Sequence, residues 1–150
     1  MTNEEFEKYM KRLRSPERMA RLSPACTALW PQPMSWDSSK MEFTAAFDTT
    51  ADMANPMGWL HGGVMATIFD NGMGTLASVV SGGHPVPTVS MSLNYLRPVP
   101  LVGRVIVKAE ILKPGRNFIH TTARLYTADD QNTPLASATA VYAILKEVTL

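Results

Sequence analysis

The chain has 150 residues, of which 45% are hydrophobic and 18% are charged, a composition that fits one globular domain and argues against disorder. A formal net charge of +1 gives no electrostatic reason to expect nucleic acid or an anionic membrane surface as a partner. The single cysteine, Cys26, excludes an intrachain disulfide and argues against a cysteine metal site. The charged first residues lack the apolar core of a signal peptide, so we expect a cytoplasmic protein.

The N-terminal residues predict two helices. Residues 3–14 predict an amphipathic helix because their apolar side chains fall on one stripe, formed by Phe6, Tyr9, Met10 and Leu13. Ser15 followed by proline is typical of an N-cap and first helical turn, and predicts a second, short helix to about Leu22. We therefore expect an N-terminal helical extension over residues 1–24 and a single domain over residues 25–150.

Six strands are predicted in the remainder of the chain. Prolines interrupt the segment before Asp37, so we expect only an irregular first strand near Cys26–Trp30, followed by a second over Lys40–Phe47. Alternation of polar and apolar residues predicts four clearer strands: Thr88–Tyr95, Arg104–Leu112, Phe118–Tyr126 and Leu135–Leu145. Short, turn-rich connections between these four predict an antiparallel meander.

The longest apolar stretch runs from Gly62 to Val80 and approaches the length of a membrane span. It contains a carboxylate, Asp70, which is costly at mid-bilayer, so we expect a buried helix instead. A helix that is apolar on nearly every side needs more contact than a flat sheet provides. The pattern therefore predicts an α+β fold, in which a curved antiparallel sheet wraps around one long helix.

Asp70 is the only Asp, Glu, Lys or Arg residue between Met53 and Leu96. Burying an unpaired charge costs free energy, which makes a lone carboxylate in an apolar helix a candidate for function. Alternatively, Asp70 caps a neighbouring element or faces solvent at a helix kink near Gly72 and Gly74.

The sequence His61-Gly62-Gly63 lies where the long helix is predicted to begin. Backbone N–H groups at a helix start stabilise anions, including the oxyanion of acyl transfer, although glycines here could also serve only tight packing. Gly62 and Asp70 are eight residues apart, about 12 Å along a helix. One helix therefore cannot present both groups to one carbonyl. Either the two features are unrelated, or a symmetric dimer shares the site between two antiparallel helices.

Several motifs in a fixed order resemble the hotdog-fold acyl-CoA thioesterases of the phenylacetate-pathway type. They are NPMGWLHGG from Asn55, Asp70-Asn71-Gly72, TVSMSLNYLRP from Thr88, Pro114-Gly115-Arg116 and LASATA from Leu135. The resemblance covers about residues 25–145. It implies a sheet of five to six strands around the helix, and two subunits joined edge to edge with each active site between them. We expect such homodimers to pair into tetramers, although the sequence itself does not fix this step or its arrangement.

The resemblance implies roles for five residues in acyl-CoA hydrolysis. Asp70 would activate water or attack the thioester, and the Gly62 N–H of the partner's helix would polarise the carbonyl. Asn55 would line the site and His61 would shape it. Thr88 would help to hold the water, or is simply a polar residue on a strand.

Candidate substrate-binding residues complete the predicted site. Coenzyme A carries phosphates, so basic residues in turns are candidates, namely Arg97, Lys113 and Arg116. Gly63 belongs to the predicted anion site, and three residues at helical spacing could line an acyl pocket or pack in the core: Met65, Phe69 and Met73. We expect no metal and no cofactor, coenzyme A being part of the substrate, and neither nucleic acid nor membrane as a partner.

Two alternatives remain open. The segment DMANPMGWLH from Asp52 to His61 is similar to the loop of the hotdog-fold enoyl-CoA hydratases, although its spacing is longer. The other alternative is a non-catalytic acyl-CoA-binding protein. Release of free thiol would indicate a thioesterase, a change in enoyl absorbance a hydratase, and tight binding without turnover a binding protein.

Overall fold

The computed structural model describes residues 1–101 and 103–146, so the last four residues of the predicted domain over 25–150 lie outside the described part. The helices are α1 (Asn3–Leu13), α2 (Pro16–Met19), α3 (Pro24–Ala28) and α4 (Gly62–Val80), with a 3-10 turn at Ala51–Met53. The strands are β1 (Gln32–Asp37), β2 (Glu42–Asp48), β3 (Thr88–Tyr95), β4 (Arg104–Pro114), β5 (Phe118–Thr127) and β6 (Ala136–Ala143).

The first two helices begin where the sequence predicts them. The Thr2 hydroxyl accepts the backbone N–H of Glu5, and the Glu5 carboxylate accepts that of Thr2, which is a capping box at the start of α1. Ser15 caps α2 with its side-chain oxygen, but this helix ends at Met19, before the predicted end near Leu22.

The predicted first strand near Cys26–Trp30 is wrong. Residues Pro24–Ala28 form helix α3, because Ser23 accepts the backbone N–H of Cys26 and a proline occupies the first turn. The chain reaches its first strand only at Gln32.

A single six-stranded antiparallel sheet has the order β1-β2-β4-β5-β6-β3. The predicted meander is therefore correct for β4, β5 and β6 but wrong for β3, which pairs with β6 and not with β4. Both edges of β4 are taken, by β2 and β5, so β3 cannot pair with β4 and instead pairs with the outer edge of β6. Strand β3 consequently forms one edge of the sheet.

Helix α4 lies in the concave face of this sheet and packs against β2 to β6. Its buried side chains form one core with those of the strands, among them Ile68, Phe69 and Leu76, all 0% exposed. Gly72 permits a close approach between helix and sheet, since a Cβ there would lie 3.2 Å from a methyl group of Val107. The predicted architecture, a curved antiparallel sheet around one long apolar helix, is confirmed.

Helix α1 packs into the same core. Phe6 stacks on Trp36 with ring centroids 5.6 Å apart and meets Phe43 edge to face at 5.7 Å. The Tyr9 hydroxyl lies 2.5 Å from Oγ of Ser78 on α4. Within residues 1–101 and 103–146, no helix is both long enough and apolar enough to cross a lipid bilayer.

Candidate active site

Asp70 lies half-buried on α4 and faces the N-terminal end of β3. Its Oδ1 accepts a hydrogen bond from the Thr88 hydroxyl at 2.7 Å. The same Oδ1 lies 3.1 Å from the phenol oxygen of Tyr142 on β6, which is also 3.1 Å from the Asp70 carbonyl oxygen. Its other oxygen, Oδ2, accepts no hydrogen bond from the described part of the chain. The carboxylate is thus oriented through one oxygen, which leaves the other for a water molecule or a substrate.

Tyr142 is the member of this group that the sequence analysis missed. Burial raises the pKa of the phenol well above its usual value, and the negative charge of Asp70 and the hydrogen bond to it raise the pKa further. The phenol therefore remains a hydrogen-bond donor at any ordinary pH. The ring packs beside Gly74 of α4, where a Cβ would lie 3.4 Å from a Tyr142 ring carbon, an ordinary contact distance.

Asp70 opens onto a cavity of about 260 Å³, which we call the Asp70 cavity. Thr88, Tyr142 and Asn71 line it from the strands and from α4. Residues from the N-terminal part of the chain also line it, among them Tyr9, Leu13, Arg18 and Trp30. The side-chain amide of Asn71 donates to the carbonyl oxygen of Leu29 at 2.7 Å and so ties α4 to the end of α3.

A second cavity, of about 400 Å³, lies at the N-terminal end of α4, and we call it the Gly62 cavity. His61 caps the helix, with its Nδ1 accepting the Gly63 N–H at 2.9 Å. The Gly62 N–H donates to no acceptor in the described chain, as is usual for a first helical residue. The Tyr95 hydroxyl donates to the Gly62 carbonyl oxygen at 2.9 Å and closes one side of this cavity.

Asn55 also lines the Gly62 cavity, where its side chain shapes the loop that precedes α4. Its Oδ1 accepts the backbone N–H groups of Met57 at 2.9 Å and Trp59 at 3.1 Å. Gly58 closes the turn at a φ of 81°, in the left-handed region that favours glycine. Arg97 lines the same cavity, and its Nη1 donates to the carbonyl oxygen of Pro134 at 2.7 Å.

The two cavities divide the predicted catalytic residues between them. Asp70 and Thr88 line one, whereas Gly62 and Asn55 line the other, next to the cap residue His61. One chain therefore does not bring the carboxylate and the Gly62 N–H to a common cavity. This agrees with the argument from helical rise.

The predicted substrate-binding residues are scattered. Met65 lines the Gly62 cavity. Phe69 and Met73 are 0% exposed and line neither cavity. The structure therefore supports the core-packing alternative for Phe69 and Met73. Lys113 lies within β4 opposite His120 and not in a turn as predicted, while Arg116 is exposed in the turn that follows β4. Neither cation lines either cavity.

Across residues 1–101 and 103–146, no three His, Cys, Asp or Glu side chains converge in a way that could hold a metal ion. Asp52, the acid of the hydratase-like segment, accepts a hydrogen bond from the Thr50 hydroxyl and lines neither cavity. The His61 ring of that segment is engaged with the helix start.

The family model of the thioesterase superfamily matches residues 57–133, just over half of the chain. The chain therefore belongs to the thioesterase superfamily. Acyl-coenzyme A thioesterase 13 of Homo sapiens is 35% identical over 72 residues, which are 47% of this chain and 51% of that protein. Acyl-coenzyme A thioesterase THEM4 of Rattus norvegicus is 29% identical over 111 residues, 73% of this chain and 46% of that protein. The chain spans about half of the length of these curated relatives.

Solved structures share the fold over nearly the whole chain. A putative thioesterase, a phenylacetic acid degradation-related protein of Ralstonia eutropha, superposes with a TM-score of 0.76 at 21% identity and covers 93% of this chain and 98% of that one. The protein smu.793 of Streptococcus mutans, solved bound to acetyl CoA, has a TM-score of 0.66 at 20% identity over 77% of this chain and 88% of that one. These similarities confirm the predicted hotdog fold.

Proposed function

We propose that this protein hydrolyses acyl-CoA thioesters to a free acid and coenzyme A, in active sites shared by the two chains of a homodimer. Asp70 of one chain activates the water that attacks the thioester carbonyl, and the Gly62 N–H of the other chain holds the developing oxyanion. The observation that carries the proposal is the Asp70 carboxylate, which Thr88 and Tyr142 orient through one oxygen beside an open cavity. The names of the relatives, acyl-coenzyme A thioesterases, support the substrate class.

The arrangement suits general-base chemistry. Thr88 and Tyr142 both donate to Oδ1, so Oδ2 is available to accept a proton from water. The N–H of Gly62 lies at the start of a 19-residue helix, where partial positive charge stabilises an oxyanion. Attack by Asp70 itself, through a mixed anhydride, uses the same residues. Single-turnover hydrolysis in oxygen-18 water distinguishes the routes, since water activation puts the label in the acid product and the anhydride route can put it in Asp70.

The edge strand supports the shared site. Strand β3 runs from Thr88, at the Asp70 cavity, to Tyr95, at the Gly62 cavity. Antiparallel pairing of two β3 strands about a twofold axis between Met91 and Ser92 would place Thr88 of each chain opposite Tyr95 of the other. The Asp70 cavity of one chain would then adjoin the Gly62 cavity of the other. Pairing of such dimers into tetramers is part of the proposal.

Replacement of Asp70 by asparagine tests the proposed chemistry. Asn keeps the size of the side chain and removes the base, so we expect D70N to fold and to lose at least about 100-fold in kcat on acyl-CoA substrates. The assay measures thiol release over a panel of aromatic, medium-chain and long-chain acyl-CoAs. D52N is the matched control because Asp52 lines neither cavity. A folded D70N with the wild-type rate would refute the proposal, and tight binding with no thiol release by the wild type would indicate a binding protein.

A further inference from the structure

The N-terminal segment forms one wall of the Asp70 cavity. Helix α1 is held against α4 by the contact of 2.5 Å between the Tyr9 hydroxyl and Oγ of Ser78. The Tyr9 ring also packs on Gly83, where a Cβ would come within 3.2 Å of the ring. Because Leu13 and Arg18 follow on the same wall, the cavity is completed by residues outside the strands and α4.

Arg18 contributes a cation to this wall. Its backbone N–H donates to Oγ of Ser15 at 3.3 Å, which fixes the first turn of α2. Its exposed side chain forms no salt bridge with any carboxylate in residues 1–101 and 103–146. An unpaired guanidinium presents a planar set of N–H donors that suits phosphate or carboxylate oxygens.

Trp30 also lines the Asp70 cavity. Its Nε1 is buried and has no hydrogen-bond partner among the described residues. Because Nε1 has almost no accessible surface, it does not present its N–H to the open cavity. The adjacent Leu29 is held by the Asn71 amide, which fixes this part of the wall.

Residues 11–21 carry an excess of positive charge. Between residues 11 and 21 there is one acidic residue, Glu17, against five cations: Lys11, Arg12, Arg14, Arg18 and Arg21. The whole chain carries a formal net charge of only +1, so residues 11–21 hold a local excess of positive charge, from which Arg18 reaches the Asp70 cavity. Such a local excess attracts an anionic ligand.

We propose that Arg18 binds an anionic group of the thioester substrate. The group is either a phosphate of coenzyme A or a carboxylate carried by the acyl chain. The inference rests on the proposed function, and it replaces the predicted phosphate-binding cations Lys113 and Arg116, which do not line this cavity, with a residue that does. The N-terminal segment is then part of the substrate-binding site.

The test compares R18A with R21A, which removes the same charge from the same segment at a position that does not line the cavity. Three substrates separate the sources of the anion: an acyl-CoA, the same acyl group on N-acetylcysteamine, and a dicarboxylic acyl group on N-acetylcysteamine. We expect R18A to raise KM about 10-fold with little change in kcat, as for loss of one charge-assisted hydrogen bond.

If R18A raises KM for the acyl-CoA alone, Arg18 binds a phosphate of coenzyme A. If R18A raises KM for the dicarboxylic thioester, Arg18 binds the carboxylate of the acyl chain. Equal KM values for R18A and R21A on all three substrates would overturn the inference. If the wild type hydrolyses no thioester, the proposed function fails, and calorimetric titration with coenzyme A and with the dicarboxylic thioester replaces the kinetic test. Weaker binding by R18A than by R21A then sustains the inference, whereas equal affinities, or no binding by any variant, overturn it.

Discussion

The phenol oxygen of Tyr142 on β6 lies 3.1 Å from Oδ1 of Asp70 on α4, although the two residues are 72 positions apart in the chain. The contact links the last strand of the sheet to the one carboxylate of the central helix. Because the phenol is buried and donates to a charged group, it constrains the orientation of Asp70.

We predict that Y142F lowers kcat about 10-fold while KM changes little, because the variant keeps the ring and loses one hydrogen bond to a charged group. The measurement is steady-state hydrolysis of an acyl-CoA by thiol detection. Y126F is the control, since Tyr126 lies in a separate small cluster with Ala46 and Ile106. An unchanged kcat in a folded Y142F would show that Tyr142 does not orient Asp70.

Tyr142 also predicts a pH dependence of stability. The ordinary pKa of a tyrosine is 10.0, and burial and Asp70 raise it in the folded protein. The contribution of the neutral Tyr142 phenol to the free energy of unfolding is therefore fully present below pH 10. It is lost as the pH rises further, because the phenol ionises in the unfolded chain and stays neutral in the folded chain. Urea titrations between pH 8 and about pH 11 should show a smaller alkaline loss in Y142F than in the wild type. Equal losses would contradict this assignment.

Thr88 supplies the shorter hydrogen bond to Asp70, at 2.7 Å. We expect T88V, which preserves the shape of the side chain, to lose about 10-fold in kcat, and T88S, which keeps the hydroxyl, to remain near the wild-type rate. The comparison separates a hydroxyl that orients the base from a polar residue that merely occupies a strand end. Equal rates for T88V and T88S would favour the latter interpretation.

The surface ion pair between Asp48 and Arg104 predicts how the free energy of unfolding changes in acid. Arg104 and then Gln32, by their hydrogen bonds, hold the pKa of Asp48 below its ordinary value of 3.8. The ionised Asp48 therefore stabilises the folded protein at any pH above 3.8. This contribution is lost as the pH falls through the lower pKa that Asp48 has in the folded protein. We therefore expect the difference in unfolding free energy between wild type and D48N to be small at pH 7 and to vanish in stronger acid. D129N is a control, since Asp129 is an exposed loop residue, and a difference that grows in acid would contradict the prediction.

Local patterns in the sequence were sufficient to predict most of the helices and strands. The alternation over Thr88–Tyr95 and the apolar run over Gly62–Val80 match β3 and α4 residue for residue. The predicted strand near Cys26–Trp30 failed because a serine cap and a proline favour a helical turn there. The pairing of β3 with β6 depends on which sheet edge remains free, and loop length does not reveal that.

The candidate site was predicted only where a single residue was conspicuous. Asp70 was identifiable as a lone charge in an apolar segment. Tyr142 was not, although its position holds a signal: it is the one large residue on the inward face of β6, after Ala136, Ala138 and Ala140. Arg18 and Trp30 line the same cavity as Asp70 only because of how the N-terminal segment packs, which no local pattern encodes.

The central claim is that Asp70 and Gly62 act together from different chains. D70N removes the base, and G62P removes the backbone donor at the first helical position, where proline is tolerated. G62A is the matched control, because it adds a Cβ near Tyr95 and keeps the N–H. Each of D70N and G62P alone should be inactive.

The most direct measurement is the activity of D70N and G62P after the two inactive proteins are mixed and allowed to exchange subunits. A mixed dimer has one site with both changes and one intact site if the site is shared, so we predict recovery of about a quarter of the wild-type rate at full exchange. Recovery should fail when D70N is mixed with a chain that carries both substitutions. No recovery from D70N and G62P, with mixed dimers verified by mass spectrometry, would contradict the shared site.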